Sequence, residues 1–210
     1  MADRQKFLLH WKRLIDYLKD NMFNDTIINK LIKKYPKPLF EDRSEFLMRE
    51  LIESIISQQL SIKASDTIFA RFVGLYPNEE FPTAEQILAM GDEKIRSAGI
   101  SFSKISYIKS VAKAFVSDLI DVEKIRKQSD EEVIVELTQI KGIGRWTAEM
   151  ILIFTLKRPD VFSIGDLGLR NAITKLYGIT DRNEMIRLSE TWIPHRSTAC
   201  WYLWRSLGNK

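Results

Sequence analysis

Apolar residues recur along this chain with the spacing of α-helices, and this periodicity limits the fold more than any other feature. Near the N-terminus, one apolar face repeats at helical intervals through Phe7, Trp11, Leu14, Ile15 and Leu18. Similar patterns cover residues 44–57, 61–76, 103–119 and 130–138, with shorter pieces up to residue 98. The one β-like run, residues 161–164, is too short and isolated to form a sheet. We therefore predict an all-α fold.

Cysteine content and apolar run length exclude several classes of protein. A single cysteine, Cys200, excludes an intramolecular disulfide, a Cys-ligated iron–sulfur cluster and a zinc finger. No apolar run follows a basic N-terminus, as a secretory signal requires. The longest apolar stretch, residues 150–154, is far shorter than the ~20 residues of a membrane span. We expect a reduced, intracellular protein without a required cofactor, located in the cytoplasm or nucleoid, or in the nucleus of a eukaryote.

Positive charge is concentrated in the last third of the chain. Residues 141–210 contain 11 Lys and Arg against 6 Asp and Glu, whereas the other 140 residues contain 21 against 22. A basic region confined to one part of a protein is typical of phosphate binding. Chance variation in solvated surface charge is the alternative interpretation.

Residues 137–147, called the hairpin below, have the pattern helix, tight turn, helix. Gly142 and Gly144 allow positive φ and close approach of a partner to the backbone. The next helix begins directly afterwards, so its free N–H groups and positive dipole end can bind a phosphate. Lys141 and Arg145 flank the turn and would add salt-dependent affinity, while Ile143 is expected to point inward. A simple glycine-capped turn between helices is the alternative.

Asp166 stands 22 positions after Gly144, at the start of the next helical pattern. A carboxylate at this place could take part in chemistry beside a bound phosphate. Asp is also a preferred N-cap residue, and Arg170, four residues on, could pair with it. Spacing alone leaves both roles open.

Two sequence motifs resemble a known family. Residues 141–148, KGIGRWTA, followed by residues 160–166, DVFSIGD, resemble the signature of the helix–hairpin–helix DNA glycosylase superfamily. Residues 194–204, PHRSTACWYLW, are similar to the 3-methyladenine-DNA glycosylase II branch in its compact form. The resemblance covers roughly residues 45–207. It implies a monofunctional glycosylase that flips alkylated purines of the 3-methyladenine and 7-methylguanine class out of double-stranded DNA and hydrolyses their N-glycosidic bonds.

The resemblance assigns a catalytic residue and a reaction type. Asp166 matches the catalytic acid of the family, where a carboxylate stabilises an oxocarbenium-like sugar and orients water. Members that also cut the strand carry a lysine where this chain has Trp146. An indole cannot form the Schiff base of those enzymes. The resemblance therefore implies release of the base with an intact strand.

The resemblance also assigns residues to base flipping and to the base pocket. Residues 57–61, called the wedge loop below, match the segment that fills the gap left by a flipped base, with Gln59 inserted and Leu60 as the alternative. Trp146 and Trp204 match pocket aromatics, which attract cationic bases. Met150 and Leu167 replace two further aromatics, which leaves the range of accepted bases open. Positively charged alkylated purines leave readily, whereas neutral lesions such as hypoxanthine need more help and are expected to be poor substrates.

Further DNA and ion contacts follow from the same resemblance. Thr147, in the hairpin, and Lys104 match positions near the DNA backbone. A Na⁺ or K⁺ ion would be held by backbone carbonyls of Thr138, Ile140 and Ile143.

The predicted architecture has two helical lobes with an active-site cleft between them, and no membrane association. Residues 45–158 form one lobe, with the wedge loop and the hairpin; residues 1–44 and 159–210 form the second, with Asp166. The resemblance implies a monomer. Two alternative functions remain open: a non-catalytic, structure-specific DNA-binding protein, and a bifunctional glycosylase/AP lyase that uses Lys141 or Lys157 as its amine.

Overall fold

The computed structural model describes residues 23–77 and 80–208, and all regular structure in these ranges is helical. The prediction of an all-α fold is confirmed, and residues 161–164 form no strand. The helix predicted from the pattern at residues 7–18 lies outside the described residues. No helix in the described part of the chain is long and apolar enough to cross a membrane.

The chain divides into two compact units. The terminal unit draws on Met1–Leu39 and Pro159–Lys210, and the central unit is Phe40–Arg158. Residues 40–44, which the sequence analysis assigns to the terminal lobe, belong to the central unit. Two bonds explain this difference: the Arg43 backbone N–H donates to the Thr155 carbonyl at 2.8 Å, and Arg126 Nε donates to Ser44 Oγ at 2.8 Å.

The central unit is built around one long helix that buries one face. In chain order, after the 3₁₀ turn Ser44–Phe46, its first helices are α2 (Leu47–Ser57), α3 (Ile62–Val73), α4 (Ala84–Ala89), α5 (Asp92–Arg96) and α6 (Phe102–Val116). It continues with α7 (Val122–Lys127), α8 (Asp130–Leu137) and α9 (Arg145–Met150). Helix α6 packs against α2 and α4. Its buried face supplies core side chains from Ile105, Ile108, Val111, Ala112 and Ala114.

Local polar residues begin most of these helices. A Ser, Thr or Asp side chain accepts a first-turn backbone N–H group, which satisfies donors that the helix itself leaves unpaired. Residues of this kind in the central unit are Ser61, Thr83, Ser101, Asp121 and Ser129.

Helix α9 does not continue as a regular α-helix through the apolar run that follows it. Residues Ile151–Thr155 form a π-helix, and the Leu156 N–H donates to the carbonyl of Ile151 at 2.9 Å, five residues earlier. The sequence pattern predicts a single apolar helix here. A π segment inserts one extra residue per turn and so changes the direction of the side chains that follow.

The terminal unit joins distant parts of the sequence. Its helices are α1 (Thr26–Lys34), α10 (Leu167–Tyr177), α11 (Arg182–Glu190) and α12 (Arg196–Ser206), with α12 packed on both α1 and α10. Its core includes Phe23, Ile28, Leu169, Ile173, Trp192 and Leu203. Asp25 caps α1 by accepting the N–H groups of Ile27 and Ile28 at 2.8 and 3.0 Å.

Candidate DNA-binding and catalytic residues

The two glycines of the hairpin differ in whether the fold requires them. Gly142 has φ of +94°, and a Cβ at this position would lie 2.4 Å from the ring of Tyr107. Ile143 is buried beside it, as an inward anchor requires. The fold itself therefore demands glycine at residue 142, because only glycine combines this φ with such close packing.

Gly144 is not required by the fold. It has φ of −97°, and within the described residues a Cβ there would meet no heavy atom within 4 Å. It is the N-cap of α9, whose first turn receives no side-chain cap, and it is exposed to solvent. An uncapped helix N-terminus behind an exposed glycine allows an anion to approach the backbone. This geometry favours a phosphate site over a simple turn.

The basic residues beside the turn already have partners. Arg145 makes a two-point ion pair with Glu131 at 2.9 and 2.8 Å and a further bond with Glu149 at 3.1 Å. The hydrogen bonds from Arg145 lower the pKa of Glu131. Lys141 is exposed, with its ammonium 3.4 Å from Ser106 Oγ and 5.9 Å from the centre of the Tyr107 ring. A phosphate would therefore compete with Glu131 for Arg145.

Thr147 is buried, with 4% of its surface exposed. It lies in the first turn of α9, so its contribution to DNA binding would come from the backbone N–H group.

The wedge loop connects α2 to α3 and contacts the hairpin. Gln58 Nε2 donates to the carbonyl of Gly142 at 3.3 Å. Gln59 is exposed and has φ of +61°, a left-handed conformation that is uncommon for residues other than glycine. Leu60 is also exposed, and its N–H donates to the Ser57 carbonyl at 3.0 Å. The loop thus presents two side chains to solvent beside the predicted phosphate site.

The side chain of Lys104 is hydrogen-bonded to the backbone at and beside the wedge loop. Its ammonium donates to the carbonyls of Ile56 and Gln58, at 2.8 and 2.7 Å. The resemblance predicts that Lys104 lies near the DNA backbone, whereas in the structure its ammonium is bonded to protein carbonyls.

Asp166 is the N-cap of α10, in the terminal unit. Its Oδ1 accepts the backbone N–H of Leu169 at 2.6 Å and the indole Nε1–H of Trp204 at 2.8 Å. Arg170 donates to the carbonyls of Ile164 and Gly165, at 2.9 and 2.7 Å, in the turn that leads to Asp166. Capping and the indole bond together fix the orientation of the carboxylate.

Gly168 is a residue of this site that the sequence reasoning missed. A Cβ there would lie 3.2 Å from Asp166 Oδ1 and 3.5 Å from Trp204 Cδ1. Any larger residue would press on the bond between the carboxylate and the indole. A glycine in the first turn of a helix, where it lowers helix propensity, was the available signal.

The predicted pocket residues are divided between the two units. Trp146 and Met150 lie on α9, and Trp146 is 44% exposed. Leu167 and Trp204 lie in the terminal unit, where Leu167 is 63% exposed and Trp204 half-buried. An exposed Trp and an exposed Leu fit surfaces that meet a ligand better than they fit a core.

The predicted carbonyl ligands of the cation lie where α8 ends and the hairpin turns. Thr138 is the C-cap of α8, and helix-end carbonyls lack intrahelical partners. The carbonyl of Ile140 accepts the N–H of Ile143 at 3.0 Å, and a carbonyl oxygen has a second lone pair. Within residues 23–77 and 80–208, no group of three or more His, Cys, Asp or Glu side chains could hold a metal ion.

These observations define a class of protein. A hairpin of two helices leaves a helix N-terminus accessible, a loop with exposed side chains is bonded to that hairpin, and a capped aspartate follows in the terminal unit. This combination is that of a helix–hairpin–helix protein whose aspartate stands at the position that the sequence resemblance assigns to the catalytic acid of DNA glycosylases.

Comparison with known proteins gives the family. Residues 52–195 match the HhH-GPD superfamily of base excision DNA repair proteins, and the chain belongs to this family.

The relatives are glycosylases by name. DNA-3-methyladenine glycosylase 1 of Schizosaccharomyces pombe is 41% identical in an alignment of 202 residues that covers 94% of this chain and 82% of that protein. The structure of the S. pombe 3-methyladenine DNA glycosylase in complex with abasic DNA has a TM-score of 0.79 at 38% identity, covering 91% of this chain and 95% of that one. A DNA-3-methyladenine glycosidase from Bacillus halodurans has a TM-score of 0.78 at 34% identity, covering 92% and 89% of the two chains.

Proposed function

We propose that this protein is a monofunctional DNA-3-methyladenine glycosylase that releases alkylated purines from double-stranded DNA in base excision repair. The observation that carries the proposal is the Asp166 carboxylate, held by the α10 cap and by Trp204 Nε1–H. Membership of a base excision repair family and the names of the relatives support it.

Asp166 would act on the sugar. Loss of the base gives the deoxyribose oxocarbenium character, which a fixed negative charge stabilises. The same carboxylate can orient the attacking water or accept its proton. Because the cap and the indole hold the carboxylate before substrate binds, little reorganisation is needed during the reaction.

Release of the base without strand cleavage follows from residue 146. Strand-cleaving relatives use an amine at this position, and Trp146 offers none. Its exposed indole would instead stack on the base. Indole faces attract cations, so positively charged 3-methyladenine and 7-methylguanine fit this role better than neutral hypoxanthine.

DNA would be bound through the hairpin, with Gly144 and the first N–H groups of α9 at a phosphate. Lys141 adds long-range attraction. Gln59, or its neighbour Leu60, would fill the space of the flipped base. The protein would act as a monomer in the cytoplasm or nucleoid, or in the nucleus of a eukaryote.

The carbonyls of Thr138, Ile140 and Ile143 offer the oxygen donors that a monovalent cation prefers. A Na⁺ or K⁺ ion held there would add positive charge near the DNA phosphate. It takes no part in bond cleavage in this proposal.

Base release tests the proposal. Duplexes with 3-methyladenine, 7-methylguanine or hypoxanthine are incubated with wild type and Asp166→Asn, and strand breaks are scored with and without hot alkali. Asn also caps helices well, so the variant should fold and bind abasic DNA while losing activity about 100- to 1000-fold. The expected wild-type result is strand cleavage only after alkali, from the two methylated bases.

The alternatives give different results. Strand cleavage without alkali, with a borohydride-trapped covalent adduct, would show a lyase that uses another lysine. DNA binding without release of any base would indicate a non-catalytic binding protein. Loss of binding or folding in Asp166→Asn would assign Asp166 a structural role.

A further inference from the structure

The wedge loop is fastened to the first two turns of α6. Lys104 sits in the first turn and donates to the carbonyl of Ile56, near the end of α2, and to that of Gln58, in the loop itself. These carbonyls belong to a stretch where the helix ends and its own N–H donors run out. The next residue, Gln59, is in the left-handed conformation, so the backbone is anchored directly before the side chain that is predicted to enter DNA.

The same two turns of α6 also support the hairpin. The Tyr107 ring packs on Gly142 so closely that no Cβ fits between them. Ser106 Oγ lies 3.4 Å from the ammonium of Lys141. Gln58 joins the wedge loop directly to the hairpin, because its side chain donates to the Gly142 carbonyl at 3.3 Å. One rigid segment therefore fixes the wedge loop and the hairpin in a single geometry.

We propose that Lys104 is a positioning residue for base flipping, which holds the wedge loop through its backbone carbonyls so that Gln59 is aligned with the DNA bound at the hairpin. The inference rests on the proposed function, since it takes the wedge loop to enter the duplex. It differs from the role that the sequence resemblance gives to Lys104, a direct contact to a DNA phosphate.

The state of the ammonium supports positioning over phosphate binding. An ammonium has three N–H donors, and two of them are bonded to carbonyls at short distances. Burial lowers the pKa of Lys104, as expected for a cation partly withdrawn from water. A phosphate that took the two donors now bonded to the carbonyls would release the loop at the moment it is needed.

The two roles predict opposite patterns. A residue that aligns the wedge matters when a stacked, paired base must be extruded, and matters little when the base is already unstacked. A phosphate contact contributes to every DNA complex, and its loss makes the affinity less dependent on salt. A purely structural role would lower activity on all substrates together with stability.

The test compares Lys104→Met, which keeps the aliphatic stem, with Lys104→Arg, which restores two N–H donors. Lys113→Met, on the exposed side of α6, is the control. Single-turnover excision of 7-methylguanine is measured in a normal base pair and in a one-nucleotide bulge. We expect Lys104→Met to lower the rate on the paired lesion about 10- to 100-fold, the range expected for a catalytic geometry misplaced by roughly 1 Å. The bulged lesion should be excised at nearly the wild-type rate, and Lys104→Arg should recover part of the loss.

A second measurement separates this inference from the proposed function. Fluorescence of 2-aminopurine in a duplex reports unstacking without bond cleavage, and it is recorded for wild type and for Lys104→Met. Wild-type unstacking that Lys104→Met abolishes would support the inference even where no base is released. Equal loss on paired and bulged lesions, weaker abasic-DNA binding with a shallower salt dependence, or a wild type that unstacks no base would each overturn it.

Discussion

At the scale of single residues, the two roles considered for Asp166 are compatible. The N-cap bond from Leu169 and the bond from Trp204 both reach Oδ1. An N-cap carboxylate accepts backbone N–H groups in a fixed direction, so capping fixes the orientation of the Asp166 carboxylate. In the proposed reaction the cap would therefore support the chemistry and would not compete with it.

The indole bond leads to a prediction for Trp204→Phe. The phenyl ring keeps an aromatic surface but removes the Nε1–H donor from the Asp166 carboxylate. A hydrogen bond to a charged group is worth about 1.5–3 kcal/mol, so we expect single-turnover excision to fall about 10-fold or more. Thermal stability should change little, because Trp204 is only half-buried.

Trp201→Phe, on the same helix, is the matched control for that experiment. Its ring packs edge-on against Tyr202 with centroids 5.0 Å apart, whereas the indole that donates to Asp166 Oδ1 belongs to Trp204. An equal effect of both substitutions on excision would mean that the indole bond does not orient the carboxylate.

Residue-level prediction from the sequence succeeded where the interaction is local. Asp166 was recognised as an N-cap because the bonded N–H lies three residues away. Its bond with Trp204 joins residues 38 positions apart, and nothing in the spacing indicates it. Gly168 was missed for the same reason, since its small size matters only to the contact of Asp166 with Trp204.

At the scale of elements, the hairpin contains one glycine that the fold requires and one that it does not. Gly142 is fixed by its φ and by the Tyr107 ring, whereas Gly144 has neither constraint. The two glycines therefore form a matched pair for mutation within one turn.

We predict that Gly142→Ala destabilises the protein and that Gly144→Ala weakens DNA binding. The first change forces a left-handed alanine, at about 1–2 kcal/mol, and overlaps Tyr107, so the free energy of unfolding should fall by about 2–4 kcal/mol. The second replaces an N-cap residue with a poorer one, so it should cost about 0.5–1 kcal/mol, and it should reduce affinity for abasic DNA about 10-fold. Urea unfolding and fluorescence anisotropy measure the two effects. Unchanged affinity in Gly144→Ala would show that no DNA phosphate binds at this helix end.

The helices themselves were largely predictable, because periodicity and capping depend on residues within one or two turns. Residues 44–57 are predicted to be helical and contain α2, and the predicted helix 103–119 overlaps α6, which occupies Phe102–Val116. The π-helix at Ile151–Thr155 was not predictable, since an apolar run has the same appearance in either geometry. The pairing of Arg145 with Glu131, 14 residues away, also depends on how α8 and α9 pack.

At the scale of the whole molecule, one carboxylate connects segments that are far apart in the sequence. Asp25 caps α1 through Oδ1, while its Oδ2 accepts Tyr177 Oη–H at 2.7 Å and Trp192 Nε1–H at 2.8 Å. These partners lie 152 and 167 residues away, and Trp192 is fully buried. Burial and the bond with Asp25 raise the pKa of Tyr177, so the phenol remains a donor throughout the physiological range.

Asp25→Ala should therefore destabilise the protein more than loss of an ordinary cap. The cap alone is worth about 1 kcal/mol, and each lost bond to a charged acceptor adds about 1.5–3 kcal/mol, with the Trp192 N–H left unpaired inside the core. We expect the free energy of unfolding to fall by about 4–7 kcal/mol in urea titrations. Asp181→Ala removes a cap that accepts only the Glu184 N–H among its described bonds, and it should cost about 1 kcal/mol. Asp25→Asn keeps the cap but places an amide group opposite two donors. Its loss of stability should therefore lie between those of Asp25→Ala and Asp181→Ala. Equal losses for Asp25→Ala and Asp181→Ala would show that the connection between the distant segments contributes nothing beyond capping.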